Sequence, residues 1–194
     1  MARGAYDPRT ALPVIDVQND FADPDGSLYV DGGETIVDGI KQEFVAARDA
    51  GGLVVYTQDW HPESTPHFAK DGGAWPAHCV KGTWGAQFHR DLEIDGPVVK
   101  KGAEGGDGYS GFSVRAPESG DEHSTRLGAI LGEQVIARVY GVGLAQDVCV
   151  KEAVLDARER GYETIRLSDL TRPVDPGAGR ETVELLAEKG AEVA

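Results

Sequence analysis

The sequence has few cysteines and no long apolar run. Its cysteines are Cys79 and Cys149, too few for the disulfide framework of a small secreted protein. No apolar stretch reaches the roughly 18 residues that a membrane-spanning helix requires, and residues 1–10 lack the apolar segment of a signal peptide. We therefore expect a cytoplasmic protein that has free thiols and does not enter a membrane.

Basic residues are also scarce. The chain has 19 lysines and arginines against 33 aspartates and glutamates, which gives a formal net charge of −14. Such a surplus of negative charge argues against nucleic acid and anionic membranes as partners. With 194 residues, the simplest organisation is a single domain over 1–194, in which residues 1–10 form a loose N-terminal segment. The sequence leaves open whether the protein forms a homo-oligomer.

Apolar runs typical of buried strands alternate with segments of helical period. Strands are expected at 12–21, where a short strand runs into a polar loop, and at 53–57, 97–99, 135–142, 164–167 and 191–193. Helices are expected at 34–50, 124–131, 148–160 and 180–189, with irregular segments at 60–96 and 103–120. The alternation predicts an α/β fold, a three-layer α/β/α arrangement around a mostly parallel, roughly six-stranded sheet.

Chemically capable residues stand at the ends of four of these strands: Asp16, Asp59, Lys101 and Cys149. Because ligands of open α/β sheets bind beyond the carboxyl ends of the strands, we expect these side chains to meet. Cys149 would attack a carbonyl carbon, Asp16 would pass the thiol proton to the leaving group, and Lys101 would hold both. Lys101 and a helix that begins near Cys149 would favour the thiolate. Taken singly, the residues also allow plainer roles: a packed thiol, a carboxylate in a turn and a solvated lysine.

Three of the five histidines fall in one short part of the chain: His61, His67 and His78, close to Asp59. Asp59 and His61 project from the same face of an extended segment because side chains alternate along a strand. Imidazole and carboxylate ligands together suit Zn²⁺, Fe²⁺ or Mn²⁺. We expect one divalent metal ion here, against the alternative that these histidines are solvated or bonded to the backbone.

Five segments together resemble the nicotinamidase (pyrazinamidase) family of the isochorismatase-like cysteine hydrolases. In chain order they are Asp16–Phe21, Asp59–Pro62, Trp75–Val80, Lys101–Gly102 with Tyr109–Phe112, and Gly143–Val150. The resemblance implies hydrolysis of nicotinamide to nicotinate and ammonia in NAD salvage, with pyrazinamide-type analogues as further substrates.

Carried over by position, the resemblance makes Cys149 the nucleophile that forms a thioester, Asp16 the proton shuttle and Lys101 the positioning cation. The backbone N–H groups of Ala145 and Cys149 would form the oxyanion hole. The peptide bond between Leu144 and Ala145 would be cis.

The resemblance also implies a ligand set for the metal. Asp59, His61 and His78 match ligands found throughout the family, and His67 matches a fourth ligand that only some members have. Zinc is the expected ion, with iron or manganese as alternatives.

The same resemblance places the ring nitrogen of the substrate on the metal. Phe21 and Trp75 would lie against the ring, and Tyr109 would have a less defined substrate-binding role. Val148 departs from the family pattern, because members often have a polar residue at this position. Asp147 is interpreted as the N-cap of the following helix rather than as a catalytic group.

Two other interpretations stay open. One is another amidohydrolase of the same superfamily, acting on an N-carbamoyl or ureido substrate with the same cysteine, aspartate and lysine. The other is a non-catalytic metal-binding protein on the same fold. The metal motif argues against the first, and the intact set of titratable residues argues against the second.

Overall fold

A six-stranded sheet of parallel strands forms the centre of the molecule. A computed structural model of the chain describes residues 3–106, 108–116 and 119–194. The strands are β1 (Thr10–Ile15), β2 (Leu53–Asp59), β3 (Val98–Lys101), β4 (Ser113–Arg115), β5 (Glu122–Ser124), β6 (Arg138–Leu144), β7 (Glu163–Arg172) and β8 (Glu192–Val193). The helices are α1 (Asn19–Ala22), α2 (Val37–Asp49), α3 (Leu127–Glu133), α4 (Lys151–Glu159) and α5 (Pro176–Glu188). Strands β4 and β5 pair with each other in a separate antiparallel ribbon.

The strand order of the sheet is β3-β2-β1-β6-β7-β8. Strand β1 lies in the interior, where Val14 is opposite Tyr56 of β2 and Val142 of β6. All six residues of β1 are buried, as expected for a parallel strand that is covered on both faces. The predicted α/β fold around a parallel sheet of about six strands is therefore confirmed.

Side chains on the two faces of the sheet enter different cores. Leu12 and Val14 of β1 pack with Phe44 of α2 on one face. Their neighbours Ala11 and Ile15 point the other way, toward cores shared with α3, α4 and α5. Helices on both faces complete the three layers. No helix among the described residues is both long and apolar enough to cross a membrane.

Several elements differ from the sequence-based expectation. The first strand ends at Ile15 because Asp16 turns the chain with a left-handed φ of 49°, and residues 19–22 then form α1 instead of a polar loop. A turn of π-helix, Gln146–Val150, precedes α4 where an α-helix was expected to begin. The segment 103–120 was expected to be irregular but contains β4, and its residues 107, 117 and 118 lie outside the described residues.

The N-terminal segment, expected to be loose, is held against α2 from residue 3 onward. The buried carboxylate of Glu43 accepts hydrogen bonds from the backbone N–H groups of Arg3 (2.6 Å) and Gly4 (3.1 Å) and from the hydroxyl of Tyr6 (2.8 Å). A buried carboxylate must be paired in this way, so Glu43 fixes the segment. Residues 1 and 2 lie outside the described residues.

Candidate active site

The four strand ends lie side by side, because β3, β2, β1 and β6 are consecutive strands of the sheet. Lys101 and Asp59 are the last residues of β3 and β2, Asp16 follows β1, and Cys149 lies in the π-helical turn after β6. All four side chains are buried. The structure thus brings together the acid, the amine and the thiol at the carboxyl edge of the sheet, where α/β folds place their ligands.

Lys101 is the centre of this cluster. Its Nζ lies 2.7 Å from Oδ2 of Asp16, 2.8 Å from Oδ1 of Asp59 and 3.5 Å from Sγ of Cys149, and it donates to the carbonyl of Tyr109 at 3.1 Å. Burial alone would lower the pKa of Lys101, but the two carboxylates raise it well above its ordinary value. The side chain is therefore a buried ammonium whose charge is balanced by two acids.

Asp16 is held in place by Thr57 of β2. The Thr57 hydroxyl donates to Oδ1 of Asp16 at 2.7 Å and accepts the backbone N–H of Asp16 at 3.2 Å. Both residues are completely buried. One carboxylate oxygen of Asp16 is thus bound by Thr57 and the other by Lys101, which fixes the orientation of the acid.

Burial decides the protonation state of the nucleophile. It raises the pKa of the Cys149 thiol well above its usual value, and the Lys101 ammonium offsets this only in part. Burial therefore favours the protonated thiol over the expected thiolate, and a carboxylate oxygen of Asp16 lies within 4.8 Å of its sulfur. Burial also raises the pKa of Asp16, against the opposing effect of Lys101. A more basic carboxylate beside a protonated thiol is arranged for proton transfer during attack.

A sharp change of direction at the end of β6 places the nucleophile. The pairing of β6 with β7 is irregular between Gly141 and Gly143, and the Leu144–Ala145 peptide bond is cis, as the resemblance implied. Gly143 has a φ of 116°, and a Cβ there would lie 2.1 Å from the carbonyl oxygen of Ile15. Only glycine permits this close approach of β6 to β1.

Asp147 does not cap its own helix, so that interpretation is wrong. Its carboxylate accepts the backbone N–H groups of Val174 (2.8 Å) and Asp175 (3.0 Å) instead. The reason is that Asp147 lies in the π-helical turn and faces the start of α5, which Asp175 caps through the N–H of Ala178. Asp147 therefore ties the nucleophile turn to the loop between β7 and α5.

The three histidines predicted as metal ligands form a buried cluster. One ring nitrogen from each of His61, His67 and His78 lies within 4.8 Å of those of the other two. Asp59 adjoins them, with Oδ2 at 3.7 Å from Nε2 of His61 and 4.0 Å from Nε2 of His78. His67, whose assignment depended on a variable family position, is therefore in the same cluster as the other two histidines.

The donor atoms of this cluster fit a metal ion. Both ring nitrogens of His61 are buried without a hydrogen-bond partner among the described residues, a costly arrangement unless something else binds them. His78 lies 2.7 Å through Nδ1 from the carbonyl of Pro76, a contact that leaves Nε2 to face the cluster. Burial lowers the pKa of His78 to about 4. Burial alone would raise the pKa of Asp59, but the Lys101 ammonium holds it below its usual range. Neutral imidazoles and an ionised carboxylate are the forms that bind divalent metals.

Cys149 lines a pocket together with residues of two unlike kinds. The first kind comprises His67 and His78 of the cluster and the aromatic residues Phe21 and Trp75. Phe21 and His78 have ring centres 5.4 Å apart. The indole N–H of Trp75 donates to the hydroxyl of Tyr109 at 3.0 Å, which joins two loops at the pocket. The aromatic residues expected at the site therefore line one pocket.

The second kind of lining residue is aliphatic. These residues are Leu28, Val30, Val148 and Val174. Val148, the unusual residue before the nucleophile, therefore contributes a hydrocarbon surface next to Cys149. Among the described residues that line the pocket there is no arginine or lysine.

Sequence reasoning missed two residues that orient the site. Thr57 binds Asp16, and Gln18 binds the backbone of Asp59: its Oε1 accepts the Asp59 N–H at 2.8 Å and its Nε2 donates to the Asp59 carbonyl at 2.8 Å. The spacing of Thr57, two residues before Asp59 on one strand, places both side chains on the same face. That periodicity was an available signal for Thr57, whereas the contact of Gln18 with β2 depends on the fold.

Residues 10–194 match the family model described as the isochorismatase domain, and the chain belongs to this family. The nicotinamidase/pyrazinamidase of Mycobacterium tuberculosis is 40% identical over 169 residues, which covers 84% of this chain and 87% of that protein.

Solved structures agree with this similarity. The pyrazinamidase of Pyrococcus horikoshii in complex with zinc superimposes with a TM-score of 0.86 at 35% identity, over 96% of this chain and 99% of that one. PnC1 from L. infantum in complex with nicotinate gives a TM-score of 0.87 at 36% identity, over 98% of this chain and 95% of that one. The chain is thus similar in sequence to a nicotinamidase/pyrazinamidase and in fold to a pyrazinamidase that binds zinc.

Proposed function

We propose that this protein is a metal-dependent nicotinamidase that hydrolyses nicotinamide to nicotinate and ammonia. The observation that carries the proposal is the joint placement of two sets of residues. Lys101 contacts both Cys149 and Asp16, and a buried histidine cluster lies at the same pocket. Pyrazinamide-type analogues, which share the planar ring and the carboxamide, are proposed as further substrates.

In the first half of the reaction, the thiol of Cys149 gives its proton to Asp16 and its sulfur bonds to the carboxamide carbon. The C–N bond then breaks, Asp16 returns the proton to the leaving nitrogen, and ammonia departs from a thioester. Lys101 holds the carboxylate and the sulfur in place. The backbone N–H groups of Ala145 and Cys149 are proposed as the oxyanion hole.

In the second half, Asp16 accepts a proton from water as the water oxygen attacks the thioester carbon. The C–S bond breaks, the sulfur takes this proton from Asp16, and the product acid leaves the regenerated thiol and loses its remaining proton to solvent as nicotinate. The raised pKa of Asp16 suits this double use, because the same group must both take and return a proton near neutral pH.

The proposed metal ligands are Asp59, His61, His78 and His67, with zinc as the ion and iron or manganese as alternatives. A bound divalent ion would supply a Lewis-acid partner for the ring nitrogen of the substrate and so orient the ring. Phe21 and Trp75 are proposed to pack against the ring, and Tyr109 to close the pocket through its bond to Trp75. In this proposal the ion orients the substrate, and Cys149, Asp16 and Lys101 carry out the bond breaking.

An amidohydrolase acting on a ureido or N-carbamoyl acid is the second candidate. Such a substrate carries a carboxylate, and burying it requires a cation. The described lining residues include no arginine or lysine, and Lys101 is already bound to two carboxylates. The aliphatic lining residues, Val148 and Val174 among them, favour binding of a neutral ring over binding of such an acid.

We further propose a single domain over 1–194 located in the cytoplasm, where the free thiols of Cys79 and Cys149 stay reduced. The proposed partner is the small-molecule substrate, with no nucleic acid and no membrane. Light scattering would measure whether the protein forms a homo-oligomer.

The test is ammonia release from nicotinamide by metal-loaded protein, with Cys149→Ala as the inactive variant. Cys79→Ala is the matched control, since it makes the same change at the other buried cysteine, which packs in a different core. We expect activity in the control and none in Cys149→Ala. Activity that survives in Cys149→Ala would overturn the mechanism. Turnover of an N-carbamoyl acid but not of nicotinamide would establish the second candidate, and bound metal without either activity would leave a metal-binding protein.

A further inference from the structure

The segment from Tyr109 to Phe112 contacts both Lys101 of the catalytic cluster and Trp75 of the pocket. The carbonyl of Tyr109 accepts a hydrogen bond from Nζ of Lys101, and its hydroxyl accepts one from Trp75. This carbonyl is a neutral partner of an ammonium that also contacts Asp16, Asp59 and Cys149. The position of the Tyr109 backbone therefore bears directly on where Lys101 points.

Asp156 of α4 and Arg160, the residue that follows α4, hold this segment. The hydroxyl of Ser110, which is buried, donates to Oδ2 of Asp156 at 2.5 Å and accepts the backbone N–H of Phe112 at 3.1 Å. Arg160 lies one helical turn after Asp156, with Nη1 3.3 Å from Oδ1 of Asp156 and its guanidinium carbon 4.7 Å from the ring centre of Phe112. One carboxylate oxygen of Asp156 thus binds Ser110 of the segment, and the other pairs with Arg160, which lies over Phe112.

The same helix also carries the nucleophile. Helix α4 continues directly from the π-helical turn that contains Cys149, and Asp156 lies about two helical turns further along. A helix is rigid over that distance, so the positions of Cys149 and Ser110 are set relative to one another by one element. The contact of Lys101 with Cys149 at 3.5 Å joins the two ends of this connection.

We propose that Asp156 is a positioning residue of the hydrolysis reaction. Through Ser110 it holds the Tyr109 carbonyl against the ammonium of Lys101, and so keeps Lys101 between Asp16 and Cys149. The proposal rests on the nicotinamidase function proposed above. Asp156 touches neither the substrate nor the reacting atoms; its effect passes through one hydrogen bond.

The kinetic test compares Asp156→Ala, Ser110→Ala and the double variant on nicotinamide. Since small misplacements of a catalytic group cost up to about a hundredfold in rate, we expect kcat to fall about tenfold in each single variant, with KM changed less than kcat. The double variant should lose no more than the worse single variant, because both changes break one connection. Asp156→Asn keeps an acceptor for Ser110 and should restore most of the rate. Glu159→Gln makes the same change of charge at an exposed position of α4 and is the matched control.

A second readout needs no substrate. The rate of alkylation of Cys149 by iodoacetamide at fixed pH reports how Lys101 and Asp16 activate the thiol. We expect it to fall several-fold in Asp156→Ala and Ser110→Ala but not in Glu159→Gln, with the labelled peptide identified by mass spectrometry. Melting temperatures show whether each variant is folded under the assay conditions.

The outcomes separate the two proposals. Wild-type protein that is inactive on nicotinamide refutes the function, and the alkylation rates then decide the role of Asp156. Active wild-type protein together with unchanged kcat and alkylation in Asp156→Ala overturns the positioning role. A loss of rate that Asp156→Asn fails to restore would also overturn the positioning role, and so would an additive loss in the double variant. Either result would mean that Asp156 acts only on the stability of α4.

Discussion

Replacing Thr57 by valine should shift the pH dependence of the reaction. Valine has the same shape but no hydroxyl, so Oδ1 of Asp16 loses a donor at 2.7 Å and the backbone N–H of Asp16 loses an acceptor at 3.2 Å. The hydroxyl lowers the pKa of Asp16 because it binds the charged carboxylate. Its removal must therefore raise a pKa that burial has already raised, and Asp16 must be unprotonated to accept the thiol proton.

The magnitude follows from the charge on the acceptor. A hydrogen bond to a charged group contributes about 1.5–3 kcal/mol, and about 1.4 kcal/mol corresponds to one pKa unit. We therefore expect the acid limb of kcat/KM to move to higher pH by roughly one to two units. At alkaline pH, where Asp16 is ionised in both proteins, the variant should recover much of its activity.

The assay is ammonia release from nicotinamide across the pH range at saturating metal. Thr164→Val serves as the matched control, because Thr164 is a buried strand residue whose hydroxyl donates only to the carbonyl of Tyr162 among its described bonds. It should lose some stability and keep the wild-type pH profile. An unchanged acid limb in folded Thr57→Val protein would refute the role of Asp16 as the base, and an equal shift in both variants would refute the role of Thr57.

Three further predictions concern the metal and the fold. His61→Ala should reduce bound metal, measured by elemental analysis, and raise KM for nicotinamide more than it lowers kcat; full metal occupancy would contradict the ligand assignment. The metal-free protein should lose stability as the pH falls from about 6.5 toward 4, because unfolded His78 takes up a proton that the folded residue, with a pKa of about 4, does not. The free energy of unfolding, measured by urea titration, should fall by an amount on the order of 3 kcal/mol. His78→Gln should make it depend less on pH. Gly143→Ala should prevent folding or activity because its Cβ would collide with the backbone of Ile15, whereas Gly132→Ala, with open space around its Cβ, should be neutral or slightly stabilising in thermal melts.

Local pattern accounts for much of what the sequence could predict. Apolar runs of period two and of helical period are local properties, so the alternation that defines an α/β fold is visible without the structure. The end of a strand is also a local property of the sequence, and it predicts that Asp16, Asp59 and Lys101 lie at one edge of the sheet. The chemistry of each residue type, thiol, carboxylate, ammonium or imidazole, is likewise a property of the residue itself.

Tertiary structure decided what depends on contacts between distant segments. The strand order β3-β2-β1-β6 makes four strand ends neighbours, and parallel strands are joined by crossovers whose order local pattern does not encode. The depth of burial raised the pKa of Cys149 where the sequence suggested a thiolate, because desolvation depends on what covers a group. The partners of Asp147 and Asp156 lie on distant segments, the loop before α5 and the loop before β4, so local sequence does not indicate these contacts.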